Sequence, residues 1–202
     1  MSSIILETDR AVVRKLVSSD AQSLAELMKC PLKEASTYIN EWSKHDEEHG
    51  FTIYGVILKK KMALFGYCGC REIILHDRPE YELVWCIQRE YPNDPNDDLD
   101  IETAFYIRNF LIKKFNIKSL FAFVSDKNAR DQNVAEEIDM VTDESYQQNG
   151  EKWLVYYVNK DSPKLLGSLG SDDVEPVRTS IRNRRDVMNP AARGRKPRLM
   201  PG

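Results

Sequence analysis

The stretch "EYELVWCIQREYPNDPNDDLDIETAFYIRNFLIKKFNIKSLFAFVS" at residues 80–125 decides the fold, because it reads as a strand, a loop, a helix and a second strand. The first run is apolar on both faces near its centre, which is typical of a central strand. The helix has one apolar stripe at helical spacing, formed by Ala104, Ile107, Leu111 and Phe115. A helix that connects two strands in this way predicts that the strands pair in parallel.

The segments before this stretch read as one strand, two helices and a hairpin. Residues 4–16 alternate as a strand does, and the sequence "SSD" then offers an N-cap for the first helix. Pro31 and Gly50 bound the second helix, because proline suits a first helical turn and glycine a helix end. Residues 51–75 form two strands joined at "KKKM".

Beyond the stretch, "NARDQNVAEEIDM" is a weaker helical segment and "WLVYYVN" is a last strand. The order βα(α)ββ(β)βαβαβ predicts an α/β (α+β) fold, with a central mixed, mostly antiparallel sheet flanked by helices. Residues 1–160 form this domain. Residues 161–176 are rich in Gly, Ser, Pro and Asp and are predicted to be a linker. Residues 177–202 have no apolar period and are predicted to be a non-globular basic arm.

The charge of the chain is divided unevenly between body and arm. The formal net charge is −3, and residues 177–202 hold eight Lys or Arg and one acid. The arm therefore carries +7 and the rest of the chain −10. This pattern predicts that the arm docks on an anionic partner through phosphate or carboxylate contacts. The eight cations are Arg178, Arg182, Arg184, Arg185, Arg193, Arg195, Lys196 and Arg198.

The chain lacks the signals of membrane and secreted proteins. No apolar run approaches the ~18–20 residues of a bilayer-spanning helix, and the N-terminus lacks the basic and apolar regions of a secretory signal. We therefore expect an intracellular, cytoplasmic protein. The four cysteines are too sparse for a disulfide scaffold, so buried free thiols are expected at Cys30, Cys68, Cys70 and Cys86.

Two arrangements resemble metal sites, and each lacks part of the ligand set. His45 and His49 have the i, i+4 spacing of "H-E-x-x-H", but a glycine follows at once, so a solvated helix end is expected. Oxygen-bearing side chains alternate from Asp94 to Asp100 as in a calcium loop. That loop lacks the glycine at its sixth position and has Phe105 at its twelfth. No metal site is predicted.

Carboxylate and phenol side chains are the candidates for acid–base chemistry. Glu82 lies early in the strand before the loop, where a carboxylate beside a cleft can act as general base. Tyr146, Tyr156 and Tyr157 are candidate general acids. The structural alternatives are a solvated strand-end carboxylate and tyrosines that pack with the hydroxyl at the rim.

The order of elements and several phrases resemble the GNAT N-acyltransferase family, in particular its branch that acetylates ribosomal-protein N-termini. "LETDRAVVRKL" resembles the opening strand, "LFGYCGCREI" the "I-G-x-x-G" strand and "YELVWCIQREY" the "E-I-G-Y-x-I-x-P-x-Y" strand. The resemblance spans residues 4–157. It implies acetyl-CoA as cofactor, with its pantetheine arm held by the backbone of one strand and one Asn side chain: Trp85, Cys86, Ile87, Gln88 and Asn128.

The resemblance fails at the family's phosphate loop, "Q/R-x-x-G-x-G/A", whose backbone N–H groups hold the pyrophosphate at a helix start. Asn96, Asp97 and Asp98 stand where "G-x-G" belongs. A Cβ obstructs the close approach that glycine permits, and two like charges ~5 Å apart at an effective dielectric of ~20 repel by ~3 kcal/mol. The same carboxylates would stabilise the helix start through its dipole. We therefore expect no bound cofactor, or acetyl-CoA if the chain is active.

Three functions are compatible with these features. The favoured one is an inactive GNAT-fold subunit whose basic arm anchors it to a larger protein or ribonucleoprotein assembly. The second is an active N-acetyltransferase that moves an acetyl group to a protein N-terminus or small amine, with Glu82 as base and Tyr146 as acid. The third is a nucleic-acid binder that acts through the arm. The sequence leaves the oligomeric state open.

Overall fold

A computed structural model describes residues 3–75, 77–88 and 97–161. Strands and helices alternate along this part of the chain much as the sequence predicts. The strands are β1 (Ile4–Glu7), β2 (Ala11–Arg14), β3 (Ile53–Leu58), β4 (Ala63–Leu75), β5 (Arg78–Ile87), β6 (Ser119–Ser125), β7 (Val141–Gln148) and β8 (Glu151–Asn159). The α-helices are α1 (Ala21–Met28), α2 (Leu32–His49), α3 (Leu99–Phe115) and α4 (Ala129–Glu137).

The strands form one sheet in the order β1-β2-β3-β4-β5-β6-β8-β7. Neighbouring strands are antiparallel except β5 and β6, which pair in parallel at Glu82 and Phe121. The chain reaches β6 from β5 through α3, so the predicted parallel crossover is confirmed. The predicted class, a mixed and mostly antiparallel sheet flanked by helices, is confirmed as well.

Helices cover both faces of the sheet and form two hydrophobic cores. In one core, Leu24 of α1 and Trp42 of α2 pack with Tyr67 of β4. In the other, Ile107 of α3 packs with Val134 of α4 and with Leu120 of β6. Full burial of each such side chain contributes about 1.5–3 kcal/mol, so these two layers supply most of the driving force for folding.

Helix α2 begins and ends where its flanking residues predict. Pro31 occupies the N-cap position, and Gly50 the C-cap position with a φ of +80°. The Gly50 N–H donates to the Asp46 carbonyl at 2.8 Å, which closes the last turn. Ile39 and Trp42 of this helix are buried.

The single strand predicted over residues 4–16 is wrong, because this segment is a hairpin of β1 and β2. Thr8 makes the turn: its N–H donates to the Ala11 carbonyl and its hydroxyl accepts the Ala11 N–H, both at 2.9 Å. No Gly or Pro marks this turn, and its one sequence signal is the run of four polar residues at 7–10 that interrupts the apolar pattern. The turn carries Arg10, which contacts the start of α3.

Strand β7 was missed because its sequence, "VTDESYQQ", has no apolar face. It is held to the sheet by backbone pairing with β8. Asn149 and Gly150 join the two strands, with φ values of 52° and 76°. An Asn-Gly pair is the preferred turn of a two-residue β-hairpin, so this dipeptide was the available signal.

Several predictions fall outside the described residues. These are residues 89–96 of the acidic loop, nearly all of the linker at 161–176 and the whole basic arm at 177–202 with its eight cations. In the part of the chain that the structure describes, none of the helices combines the length and apolar character needed to cross a membrane.

Candidate functional site

Strands β5 and β6 pair at one position and then move apart. Within the described residues they pair only between Glu82 and Phe121. β5 nevertheless continues to Ile87 and β6 to Ser125. A parallel ladder along this length would show further evenly spaced pairs. The carboxyl ends of the two strands therefore leave an opening between them.

Alternation along β5 shows which backbone groups face this opening. Gln88 donates its N–H to the Phe65 carbonyl on β4 at 2.9 Å. Because backbone polar groups point to alternate sides of a strand, those of Cys86 also face β4, and those of Trp85 and Ile87 face the opening. Two of the four strand residues predicted to hold a pantetheine arm thus offer backbone hydrogen bonds there.

The side chain of Trp85 adds an unsatisfied donor beside this edge. Its indole Nε1 is buried and has no hydrogen-bond partner among the described residues. Leaving a buried donor unpaired costs about 1–3 kcal/mol. An acceptor atom on a bound ligand would remove this cost.

The cysteines are only partly as predicted. All four are free thiols, and Cys68 and Cys70 are buried on one face of β4. Burial raises the pKa of both thiols, which keeps them protonated and unreactive. Cys30 and Cys86 are only half-buried, against the expectation of four buried thiols, and border the core under α1 and α2.

Arg10, on the turn between β1 and β2, binds the acidic start of α3. Its Nη2 lies 2.5 Å from Asp98 Oδ1, its Nε 2.6 Å from Glu102 Oε2 and its Nη1 3.9 Å from Asp97 Oδ1. Burial acts to lower the pKa of Arg10, but Glu102 and Asp98 outweigh it and raise the pKa. Asp98 is at the N-cap position without a side-chain cap hydrogen bond. Its carboxylate binds the Arg10 guanidinium instead of a backbone N–H of α3.

Arg130, in the first turn of α4, binds the next carboxylate. Its Nε and Nη2 donate to the two oxygens of Asp100 at 2.9 and 2.5 Å, and Nη2 also donates to the Asp97 carbonyl at 2.9 Å. Asp100 is only 5% exposed. At the described start of α3, two guanidinium groups thus contact four carboxylates, those of Asp97, Asp98, Asp100 and Glu102.

Acetyl-CoA, the cofactor that the sequence resemblance implies, fits one half of this region and not the other. The open edge of β5 offers the backbone groups that an extended pantetheine arm needs. At the start of α3 a pyrophosphate would meet carboxylates whose two guanidinium partners are already engaged. Asn96, the first residue of the degenerate loop, lies outside the described residues.

Glu82, the candidate general base, is held in an ion pair. It lies opposite Arg71 in the β4–β5 register, and Arg71 Nε is 2.6 Å from Glu82 Oε2. Glu82 is 9% exposed. Its carboxylate would have to release the guanidinium before that oxygen could accept a proton from a substrate.

Asn128 is engaged at the start of α4. Its Oδ1 accepts the Asp131 N–H at 3.1 Å, and its Nδ2 donates to Asp131 Oδ2 at 2.6 Å. These contacts cap the helix. The Asp131 carboxylate therefore binds the amide that was predicted to hold pantetheine.

The candidate general acids lie apart from Glu82. Tyr156 is 2% exposed, and Tyr157 packs beside Phe121. Tyr146 is on β7, which β6 and β8 separate from β5. Three strand spacings of about 4.8 Å put Tyr146 more than ~14 Å from Glu82. The structure does not bring these two residues together.

The side chains that sequence reasoning missed are arginines: Arg10, Arg71 and Arg130. Arg71 had a usable signal, because the hairpin of β4 and β5 puts it directly across from Glu82. Arg10 had none, since its turn was not predicted. Arg130 acts on Asp100 from 30 positions away, at the start of a different helix.

The metal-like arrangements take other roles. His45 is bonded to two backbone groups, so the expectation of a solvated helix end is wrong for this residue. Asp98 and Asp100 of the calcium-like pattern bind Arg10 and Arg130. Among the residues that the structure describes, no three His, Cys, Asp or Glu side chains are grouped to hold a metal ion.

The sequence matches a family model described as the acetyltransferase (GNAT) domain over residues 6–141. Curated proteins give no match to the chain. Solved structures do match. The ribosomal-protein-S5-alanine acetyltransferase of Vibrio fischeri superposes with a TM-score of 0.66 at 12% identity, covering 80% of this chain and 97% of that one.

Two further solved structures of this fold contain cofactor. RimL, a ribosomal L7/L12 α-N-protein acetyltransferase in complex with coenzyme A, has a TM-score of 0.64 at 10% identity and covers 78% of this chain and 98% of its own. The microcin C7 self-immunity acetyltransferase MccE, in complex with acetyl-CoA and AMP, has a TM-score of 0.59 at 12% identity, with coverages of 75% and 93%. At these identities the likeness concerns the fold.

Proposed function

The chain belongs to the GNAT acetyltransferase family, and we propose that it uses the family's scaffold as an interaction subunit while its binding of acetyl-CoA is lost or severely weakened. The observation that carries the proposal is the start of α3, where Arg10 and Arg130 are committed to carboxylates. In a helix start that binds phosphate, backbone N–H groups and the dipole face an anion without competing charge.

Electrostatics supports this reading quantitatively. A phosphate charge ~5 Å from a carboxylate is repelled by ~3 kcal/mol at an effective dielectric of ~20, and the two guanidinium groups offset part of this repulsion. Asp97 and Asp100 are buried, at 3% and 5% exposure, so solvent screens them little. Since ~1.4 kcal/mol is a tenfold change in affinity, half of this repulsion would weaken cofactor binding about tenfold.

Isothermal titration with acetyl-CoA tests the proposal. We expect no micromolar binding by the wild-type chain. The double variant Asp98→Asn with Glu102→Gln frees Arg10 for phosphate and should bind acetyl-CoA at least tenfold more tightly. Micromolar binding by the wild type would overturn the proposal.

Two controls sharpen this titration. Glu47→Gln with Glu48→Gln makes the same charge change on exposed positions of α2 and should leave binding unaltered. S-Acetylpantetheine, which lacks the pyrophosphate, should bind the wild type and the Asp98/Glu102 double variant equally. A preference for the double variant with this ligand would show that the carboxylates act on something other than phosphate.

The partner-binding role rests on the basic arm at residues 177–202, which lies outside the described residues. Its +7 charge against the −10 body suits a larger protein or ribonucleoprotein assembly with an anionic surface. Removing residues 177–202 should abolish a salt-dependent association with RNA-containing particles. Full association of the shortened chain would exclude this role.

An active N-acetyltransferase is the second candidate, and the open edge of β5 is the observation that favours it. Ribosomal-protein acetyltransferases are among the structural neighbours, so a protein N-terminus is the acceptor to try first. Transfer from acetyl-CoA to an N-terminal peptide would establish it. Glu82→Gln should then lower the rate at least tenfold if Glu82 is the base, and Tyr146→Phe would test the acid.

A further inference from the structure

His45 joins the end of α2 to β4 through both nitrogens of its ring. Nδ1 lies 2.8 Å from the Phe51 carbonyl oxygen, and Nε2 lies 3.1 Å from the Glu72 backbone nitrogen. A carbonyl oxygen only accepts, so Nδ1 must carry a hydrogen. A backbone N–H only donates, so Nε2 must present its lone pair. The geometry therefore requires the neutral imidazole with the proton on Nδ1.

The joint is larger than one side chain. The His49 ring stacks on His45 with centroids 4.4 Å apart, and both rings contact Phe51. Phe51 packs in turn on Tyr81 of β5 and Phe115 of α3, at 5.5 and 5.2 Å. The end of α2 is thus connected through His45 and Phe51 to β4, β5 and α3.

The titratable and charged groups around the ring come from every packed element. α2 contributes His49 and Glu48, β4 contributes Glu72 and β5 contributes the Tyr81 phenol beyond Phe51. On α3, Lys114 lies over the Phe115 ring, one side chain further away. Of these groups, the Glu72 and Glu48 carboxylates favour the protonated ring and His49 disfavours it.

We propose that His45 is a proton-operated joint: protonation of Nε2 breaks its hydrogen bond with the Glu72 N–H and releases the end of α2 from β4. A protonated Nε2 would point its new N–H at the Glu72 N–H, so two donors would face each other. The Phe51 bond survives protonation, because Nδ1 carries its hydrogen in both forms. Acidification therefore opens one side of the joint and leaves the other in place.

The direction of the His45 pKa shift sets the pH range in which the joint opens. Burial, first, and then the neighbouring His49 lower the pKa of His45 below its usual 6.5, although the Phe51 carbonyl and the Glu72 and Glu48 carboxylates act to raise it. The joint is closed at pH values above the lowered pKa of His45. Because the unfolded chain binds the proton more readily, stability is greatest above about pH 6.5 and falls as pH decreases through the lowered pKa.

Nitrogen-15 NMR of the full chain tests the joint without any variant. At neutral pH the His45 ring should show a protonated Nδ1 and an unprotonated Nε2. On acidification, the Glu72 amide shift should follow the titration of His45 with a midpoint below 6.5. Its protection against hydrogen exchange, corrected for intrinsic rate, should fall about tenfold for each pH unit below the midpoint.

His45→Gln and His49→Gln form a matched pair of variants. Gln at position 45 can accept the Glu72 N–H without titrating, so the Glu72 amide should lose its pH response. His49→Gln removes the stacked ring but leaves the joint, so the response should remain, with its midpoint moved upward.

Three results would overturn the proposal. One is a neutral ring with its proton on Nε2. Another is a midpoint at or above 6.5 in the wild-type chain. The third is a Glu72 response that persists in His45→Gln or disappears in His49→Gln. The wild-type ring spectrum decides the question even if a variant fails to fold, and none of these readouts depends on acetyl-CoA.

Discussion

The two halves of the region that would hold acetyl-CoA differ in what builds them. In the β5 half, the groups available to a ligand are the backbone N–H and C=O groups of Trp85 and Ile87, which face the opening whatever side chains these residues carry. The α3 half is built from side chains, because the carboxylates of Asp98 and Asp100 occupy it together with their partners Arg10 and Arg130. A backbone edge persists as long as the sheet persists, whereas a phosphate site is lost when a few small residues become charged. The proposed loss of acetyl-CoA binding rests on this contrast, because backbone pairing keeps the family scaffold while a few side chains change the phosphate end.

The largest expected effect comes from breaking the backbone half. A Cβ on Gly66 would lie 2.6 Å from the Cys86 carbonyl oxygen and 2.7 Å from the Ile87 Cα, so β4 and β5 could no longer approach. Gly66→Ala should lower the free energy of unfolding by about 3 kcal/mol, measured by urea denaturation. A Cβ on Gly150 would have no atom within 4 Å, so only the positive φ strains an alanine there. Gly150→Ala should therefore lower the free energy of unfolding by about 1 kcal/mol. Equal losses would show that the close approach is unimportant.

The next effect comes from breaking the side-chain half. Arg130→Gln leaves the buried Asp100 carboxylate without its guanidinium and should cost about 2 kcal/mol of stability. Arg130→Lys keeps the charge but loses the second hydrogen bond, so it should cost about half as much. Thermal and urea unfolding of the three proteins would measure this. A stable Arg130→Gln protein would mean that the network does not hold the start of α3.

The smallest expected effect comes from an Arg–Asp ion pair outside the region proposed for acetyl-CoA. Arg14 donates to both oxygens of Asp20 at 2.7 Å, beside α1. Burial acts to raise the pKa of Asp20, but the bonds from Arg14 and the Val17 N–H outweigh it and lower the pKa. The stabilisation is therefore present above about pH 4 and lost as pH falls through the lowered pKa. Ion pairs near the surface contribute up to about 1 kcal/mol, which sets the size of the expected loss.

Unfolding at pH 6 and at pH 2.5 measures this difference. Asp20→Asn should lose less stability than the wild type between the two conditions, because its amide does not titrate. If both proteins lost the same amount, Asp20 would contribute nothing to the acid sensitivity.

Local sequence was sufficient where one segment dictates its own structure. Pro31 and Gly50 bound α2 because a proline ring and a glycine φ act within a single turn. The apolar stripe on α3 predicted its buried face, with Ala104, Ile107 and Leu111 fully buried. The same stripe contained no sign that Arg108, on this helix, is also fully buried and donates to the Ile138 carbonyl.

The sequence by itself determined the sheet class, the α3 crossover and the acidic character of the α3 start, because periodicity and composition act over neighbouring residues. Only the tertiary structure decided what those acids do. Arg10 and Asp98 are 88 positions apart, and Arg71 and Glu82 meet across a hairpin. Ion pairing depends on distances of a few ångströms in space, which residue spacing along the chain does not specify until the strands and helices are packed.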